Sequence, residues 1–442
     1  MRLKMKSWLV LFALMSGGAA LAFCGFYVAQ ADVELFNESS QVILARDGNR
    51  TVLSMSNDYR GEASELALVV PIPYVFRQDQ IQVGDPAIFE RLSAYSAPRL
   101  VEYFDDDPCR EDFFREGVLM DAAAATTTQS AAARDQALGV TVEAQFTVGE
   151  YDIVILGAEE SAGLTTWLLE NGYNLPAGAR AALAPYLAQG MKFFVARVNL
   201  EAFAASGFEQ LRPLVMAFES EDFMLPIQLG MVNAAGPQDL VVYLLSPQGR
   251  VELANYETQP IPADVYLPEF VEHEFGEVYK ALFQTSYERA GKDAAFLEYA
   301  WDMAWCDPCA ADPLSPDELR RSGAFWLDAA ADFQTPNVYL TRLHVRYTPE
   351  EFPEDLTFRA TDNRENFQVR YILQRPFGGE LRCERAETYV AQVKARRVRE
   401  ARTLSNLTGW SLTDVRAKMG EYAPTVDVPD WWEKVFRSFG KP

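Results

Sequence analysis

The amino terminus places the strongest constraint on where and how this chain can fold. Three cationic side chains within the first six residues precede an unbroken apolar run at residues 8–15, and small residues follow, ending in an A-x-A sequence at residues 20–22. This order is typical of a secretory signal peptide, and the apolar run is too short to span a bilayer comfortably. We predict that residues 1–22 are a signal peptide and that the rest of the chain is exported to the periplasm or the cell exterior.

Export would give the five cysteines an oxidising environment, in which disulfides form and persist. All five lie after residue 22: Cys24, Cys109, Cys306, Cys309 and Cys383. We predict one or two disulfides, with Cys109, Cys306, Cys309 and Cys383 as the candidates and at least one thiol left over. Spacing alone does not decide which cysteines pair.

Cys24 permits a second interpretation, in which the exported chain is attached to a membrane by a lipid. A lipid-modified cysteine would be the first residue of the mature chain, and the residue before it should be small, whereas Phe23 is large. Membrane contact is therefore expected only if the amino-terminal segment is retained or if Cys24 is lipidated.

The remaining composition is that of an ordinary globular protein. The 442 residues are 49% hydrophobic and 12% aromatic, so the chain can form a large core. The formal charge is −23, and it becomes −26 once residues 1–22 and their three positive charges are removed. A surface this acidic repels phosphate backbones, so we do not expect nucleic acid as a partner.

One low-complexity stretch divides the chain. Residues 120–139 are rich in alanine and threonine, and residues 121–137 contain no large apolar side chain, so this stretch cannot bury much surface. We predict that it is a linker between an amino-terminal β-rich region at 23–119 and a main α+β region at 140–442.

Hydrophobic patterning predicts an α+β fold of mixed sheets with several helices. A hairpin is expected around Asp47-Gly48-Asn49. Residues 151–200 predict a strand, two helices and a strand, with a right-handed crossover if both strands share a sheet. Helical periodicity predicts a helical segment at 268–330, which includes residues 294–304, and a long helix at 380–404.

Three longer segments and two short ones carry a family resemblance. They are residues 151–176, 341–363 and 366–377, together with CGFYV at 24–28 and VVPIP at 69–73. Together they resemble the bacterial domain of unknown function 2330 family, over most of the chain after residue 22. The resemblance implies an exported bacterial protein. It implies no catalytic residue, because no activity is established for the family.

The sharpest chemical motif is WCDPC at residues 305–309. It matches the WCxPC of thioredoxin-like oxidoreductases, in which the first cysteine attacks as a thiolate from a helix N-terminus. Such a site follows a buried strand, whereas residues 294–304 predict a helix, so a structural role for the cysteines is favoured. Thiol–disulfide exchange by Cys306 and Cys309 is the alternative function.

No metal or cofactor site is predicted. A closed zinc site needs four ligands, and beside Cys306 and Cys309 only three cysteines and two histidines, His273 and His344, remain. In an oxidising compartment disulfides outcompete such a site. The HEFGE sequence at 273–277 lacks the second histidine of the HExxH motif. The acidic residues at 105–107 do not have the spacing of a calcium-binding loop.

A strand predicted at residues 338–347 carries one cationic face. Alternation puts Arg342, His344 and Arg346 on one side of the strand, and Arg370 would join them if a later strand pairs with it. Guanidinium groups suit carboxylate or phosphate recognition, so these four residues are the candidate binding site for a small anionic ligand or a protein partner. The alternative is that neighbouring acidic side chains neutralise them.

No constellation typical of an enzyme accompanies these features. The sequence therefore favours an exported protein that acts by binding or assembly. The thiol–disulfide oxidoreductase is kept as the alternative.

Overall fold

The structure is a computed structural model in which helices and strands both occur along most of the chain. It describes residues 26–28, 37–56, 67–109, 140–171, 173, 175–176, 178–208, 211–307, 312–328, 336–422 and 424. Over these residues the predicted α+β class is confirmed.

The strands of the described residues vary widely in length. In chain order they are β1 Phe26–Val28, β2 Asn37–Asp47, β3 Arg50–Met55, β4 Ala67–Ile72, β5 Ile81–Val83, β6 Arg99–Phe104, β7 Val140–Val148, β8 Tyr151–Ala158, β9 Lys192–Val198, β10 Leu214–Glu219, β11 Met224–Leu225, β12 Ala234–Ser246, β13 Val251–Leu253, β14 Glu257–Pro260, β15 Val265–Leu267, β16 Ala294–Asp302, β17 Tyr339–Tyr347, β18 Leu356–Ala360, β19 Phe367–Gln368 and β20 Arg370–Arg375.

The α-helices of the described residues are fewer. They are α1 Pro86–Ser96, α2 Ser161–Glu170, α3 Ala179–Ala188, α4 Leu200–Ser206, α5 Val271–Arg289, α6 Pro316–Arg321, α7 Ala386–Thr408 and α8 Leu412–Met419.

The largest sheet of the described residues has the strand order β14-β16-β17-β12-β2-β3-β10-β5, with β19 paired beside β16. Most neighbours are antiparallel, but β2 lies parallel to β12 and β14 lies parallel to β16. The predicted hairpin is confirmed, because β2 and β3 pair antiparallel. Gly48 in its turn has a φ of +55°, a conformation that glycine adopts readily because it has no Cβ.

Strands from both sides of residues 120–139 share this large sheet. β2 and β3 precede that segment in the chain, whereas β12 and β17 follow it. The segment itself and residues 1–22 lie outside the described residues. The signal peptide, the linker and the domain boundaries therefore stay predictions.

A second sheet, with the order β1-β4-β9-β8-β7, packs face to face with the large sheet. Side chains from both sheets, such as Val70 and Phe194 on one and Val242 on the other, form a shared buried core. Helices α2 and α3 cover the opposite face of the second sheet. The predicted strand–helix–helix–strand order is confirmed, but β8 and β9 are antiparallel neighbours, so the handedness rule for parallel strands does not apply.

The helix predicted over residues 294–304 is wrong, because residues 294–302 form the strand β16. The segment lies inside the large sheet, where its first seven residues are all buried. A strand covered on both faces has a continuous apolar sequence without alternation, so periodicity does not separate it from a buried helix. The predicted helical segment at 268–330 therefore contains α5, then this strand, then α6.

Two apolar clusters cover the other face of the large sheet. Helix α1 and residues 314–327 pack at one end. At the other end, α5, α7 and α8 pack together with a small parallel sheet of order β15-β20-β6. The cationic side of β17 lies on this same face, between Leu340 in the first cluster and Phe283 in the second.

The long carboxy-terminal helix is present, although it begins and ends later than predicted. It is α7, Ala386–Thr408, and it ends at Gly409, which has a φ of +72°. A disulfide between Cys109 and Cys383 joins the residues after β6 to those before α7, with Cα atoms 5.5 Å apart. Among the described residues, no helix is both long enough and apolar enough to span a membrane.

Candidate functional site

The structure brings three of the four predicted cationic residues together on β17. Arg342, His344 and Arg346 lie on one face of the strand, and Leu343 and Val345 point into the core between the two sheets. The predicted alternation is therefore confirmed. β12 and β16 flank this strand on either side, and each supplies an acidic residue that the sequence analysis did not identify.

Glu298 is the first of these acids, and it stands at an irregularity in β16. The pairing of β16 with β17 shifts between Leu297 and Tyr299, so Glu298 has no partner residue on β17. The Glu298 side chain is 1% exposed. Its Oε2 accepts a hydrogen bond from Nε of Arg342 at 2.6 Å, and its Oε1 lies 2.8 Å from Nδ1 of His344.

Asp239 on β12 is the second acid. Its Oδ1 lies 3.1 Å from Nε2 of His344, and Arg346 donates to both of its oxygens, from Nε at 2.8 Å and from Nη2 at 2.5 Å. His344 thus contacts a carboxylate oxygen with each ring nitrogen. Because carboxylate oxygens only accept, both ring nitrogens donate and the imidazole is protonated.

The five side chains of Glu298, Asp239, Arg342, His344 and Arg346 form a connected group, called here the Glu298 cluster. Burial by itself raises the pKa of a carboxyl, but Arg342 and His344 outweigh it and lower the pKa of Glu298 to about 2. For Asp239, His344 and Arg346 likewise outweigh burial, so its pKa falls to about 2.

His344 shifts in the opposite direction. Burial favours the neutral ring, but Glu298 and Asp239 reverse this effect and raise the pKa of His344 to about 9. Glu298, Asp239 and His344 are thus charged at neutral pH, and the cluster combines two carboxylates with an imidazolium and two guanidinium groups.

Helix α5 lies over the cluster with one aromatic face. Tyr279, Phe283 and Tyr287 are spaced four residues apart, so they point in the same direction from the helix. Phe283 stacks on His344 with 3.8 Å between ring centroids, and the Tyr279 hydroxyl donates to Glu298. Burial and the Glu298 charge raise the pKa of Tyr279 well above its usual value, so it stays a donor.

One donor in the cluster lacks an acceptor. Nη1 of Arg342 is buried and makes no hydrogen bond with the described residues, while the guanidinium lies 5.5 Å from the ring centroid of Tyr243. An aromatic face offsets part of the cost of such a buried cation. The other charges are paired within the chain, so the cluster is arranged to hold α5 onto the sheet.

Arg370 is not part of this cluster. Its strand, β20, pairs with β15 and β6 and does not pair with β17. The Arg370 guanidinium forms an ion pair with Asp264 instead. Neutralisation by neighbouring acids, the alternative interpretation of the arginine face, thus describes Arg342, His344 and Arg346.

The cysteines fall into two groups. Cys109 and Cys383 are joined, whereas Cys306 is exposed and free. Cys24 and Cys309 lie outside the described residues, so a bond or exchange between Cys306 and Cys309 stays a prediction. Cys306 follows the buried strand β16, which is the context that the sequence analysis expected to be missing.

The described residues contain no group of three or more side chains suited to holding a metal ion. Asp105, from the acidic run at 105–107, instead accepts hydrogen bonds from Arg396, Tyr389 and Gln374. His273, in the HEFGE sequence, is exposed on α5.

Comparison with known proteins gives one result about the family of this chain. Searches of curated proteins and of solved structures found no significant match. A sequence profile matches residues 18–359, which include all five residues of the Glu298 cluster but not Cys383, α7 or the segment at 366–377. Because the match spans most of the chain, the protein belongs to the bacterial family described as uncharacterized protein conserved in bacteria (DUF2330).

Proposed function

We propose that this protein is exported and acts in the periplasm or at the cell exterior by binding rather than by catalysis. The observation that carries the proposal is the internal pairing of the Glu298 cluster. Its acids and bases are hydrogen-bonded to one another, and Glu298 is almost fully buried. A catalytic acid or base must reach the proton that it transfers, which this arrangement prevents.

Two further features support export. The first 22 residues have the composition of a signal peptide. The Cys109–Cys383 disulfide is of a kind that persists in oxidising compartments and is rare in the cytosol.

Fractionation of the native host tests the export part of the proposal. We expect the protein in the periplasm or the medium, with a mass that lacks residues 1–22. Cys109 and Cys383 should resist alkylation until a reductant is added. Recovery of the full-length chain from the cytosol, with both thiols alkylated at once, would contradict export.

A ligand screen tests binding against catalysis. Small carboxylates, phosphates and amines are incubated with the mature protein, and the melting temperature and the recovered compound are both measured. A bound ligand should raise the melting temperature with its concentration and be recovered unchanged. Stoichiometric or faster conversion of any compound would overturn the non-catalytic assignment.

The second candidate function is thiol–disulfide exchange, and the position of Cys306 favours it. The thiol is exposed and free, and it comes four residues after a buried strand rather than after a helix. An insulin-reduction assay with dithiothreitol decides between the two functions. If Cys306 attacks disulfides, the wild type should exceed the uncatalysed rate and Cys306→Ser should not. Equal background rates for both proteins would exclude the redox function.

A further inference from the structure

A groove at one edge of the large sheet differs from the Glu298 cluster in being open. β5 pairs with β10 only at Leu214–Met216, whereas β10 continues to Glu219. Beyond β5, side chains occupy the backbone groups of this edge. The Ala217 carbonyl accepts from Nε2 of Gln80 at 2.9 Å, and the Glu219 N–H donates to the Tyr74 hydroxyl at 3.1 Å.

The groove, called here the edge groove, has a volume of about 280 Å³. Its walls include three aromatic rings, Tyr74, Phe218 and Phe325, and two arginines, Arg50 and Arg77. Ligand sites in proteins usually measure roughly 300–1,000 Å³, so this groove is at the small end of that range. It fits a small molecule and is too small to hold a folded partner segment.

The arginines of the edge groove are held weakly. Nε of Arg50 lies 3.0 Å from Glu219, in a pair whose side chains are 47% and 59% exposed. Nε of Arg77 lies 3.3 Å from Asp79. Ion pairs open to solvent in this way contribute little to stability, so an incoming acceptor can replace either acid.

Arg77 also has an unused donor. Its Nη2 is buried and makes no hydrogen bond with the described residues, so a ligand reaches it only when the Arg77–Asp79 pair opens. Once Asp79 is displaced, Nε and Nη2 of Arg77 together offer the two parallel donors that a planar carboxylate can accept. Asp79 and Glu219 stay beside the groove, and they repel a doubly charged phosphate more strongly than a singly charged carboxylate.

The geometry points to the edge groove as the binding site for a small organic carboxylate with a flat apolar body. The carboxylate lies against Arg77 and Arg50, and the apolar body packs between the aromatic walls. This inference names a site and a ligand class for the binding function proposed above, and it rests on that function.

The test titrates the mature protein with phenylacetate as the probe. Ligand-observed NMR measures the dissociation constant. Phenylacetate should saturate one site with a dissociation constant of about 0.1–1 mM, as expected for a ligand of this size. Phenyl phosphate should bind at least threefold more weakly, acetate at least tenfold more weakly, and benzylamine not at all. Binding of benzylamine as tight as that of phenylacetate would overturn the inference, and so would no binding of phenylacetate.

Variants locate the site. Arg77→Gln and Arg50→Gln should each weaken phenylacetate binding at least fivefold, whereas Arg359→Gln should not change it. Arg359 is a matched control because it forms an exposed pair with Glu252 outside the groove. Urea unfolding of each variant verifies that the fold is kept.

Unchanged binding in both groove variants would overturn the site but leave the proposed binding function standing. That function fails separately, if the ligand screen finds conversion of a compound.

Discussion

The Glu298 cluster and the edge groove are built from the same residue types in opposite environments. In the cluster, Arg342 and Glu298 are 10% and 1% exposed, and Glu298 also accepts hydrogen bonds from His344 and Tyr279. In the groove, Arg50 and Glu219 are half exposed and make a single contact. Burial makes the first pair structural, because removing either partner leaves a charge without water. Exposure to water leaves the second pair exchangeable, because water solvates each of its charges.

The largest expected difference between the two regions comes from removing one carboxylate from each. Glu298→Gln should lower the free energy of unfolding by about 3–5 kcal/mol, because it leaves Arg342 buried without its counter-charge and His344 with only Asp239 as a partner. The matched change Glu219→Gln should cost less than about 1 kcal/mol. Urea denaturation of both variants measures the difference, and equal midpoints would remove the distinction between cluster and groove.

Removing the disulfide should loosen the elements that cover the cluster more than it loosens the edge groove. The Cys109→Ser/Cys383→Ser double variant should lose about 2–4 kcal/mol of stability. Hydrogen exchange should accelerate in α7 and β6, which adjoin the bridge, and stay unchanged in β10 at the groove. Uniform acceleration across all three elements would show that the two regions do not open separately.

The next largest difference between the cluster and the groove is expected in the pH dependence of stability. The pKa of His344 is about 9 in the folded protein and 6.5 in an unfolded chain, so its contribution is complete below pH 6.5 and is lost as the pH rises through 9. The pKa of Glu298 is lowered to about 2, so its contribution is present above pH 4.5 and is lost as the pH falls through 2.

The variant His344→Gln isolates the alkaline part of this profile. Between pH 6.5 and 9 the wild type should lose about 2–3 kcal/mol more stability than the variant, measured by urea unfolding at each pH. Parallel profiles for the two proteins would show that His344 does not carry its charge in the folded state.

The smallest difference is expected from two tyrosine hydroxyls. Tyr279→Phe removes a donor to buried Glu298 and should cost about 1–2 kcal/mol. Tyr74→Phe removes an acceptor that water can replace at the exposed edge, so it should change stability by less than about 0.5 kcal/mol. Thermal unfolding of both variants compares the two losses of stability. A larger loss for Tyr74→Phe than for Tyr279→Phe would contradict this prediction.

Sequence reasoning identified the cationic face but not the two acidic residues that pair with it. The alternation of β17 predicted Arg342, His344 and Arg346 on one side, because side chains of a strand alternate by local geometry. Glu298 was missed because its segment was interpreted as a helix. The available signal was that it is the single charged residue in the apolar run at 294–301. Asp239, 59 residues earlier, gave no signal at all.

The edge groove was not predicted from the sequence for the same reason: its residues meet only in the assembled sheet. Tyr74 and Arg77 are three residues apart, but Arg50, Phe218 and Phe325 come from distant parts of the chain, and no local motif links them. They meet because β5 is shorter than β10, a fact of sheet assembly rather than of either strand's sequence.

The amino-acid sequence by itself determined the α+β class, the family and the face of β17 on which each side chain lies, because composition and periodicity act over a few neighbouring residues. Only the tertiary structure decided that residues 294–302 form a strand, that Arg370 lies elsewhere and that the cationic face is neutralised. Burial and charge pairing depend on which distant strands become neighbours, and hydrophobic patterns shared by buried helices and buried strands do not specify that choice.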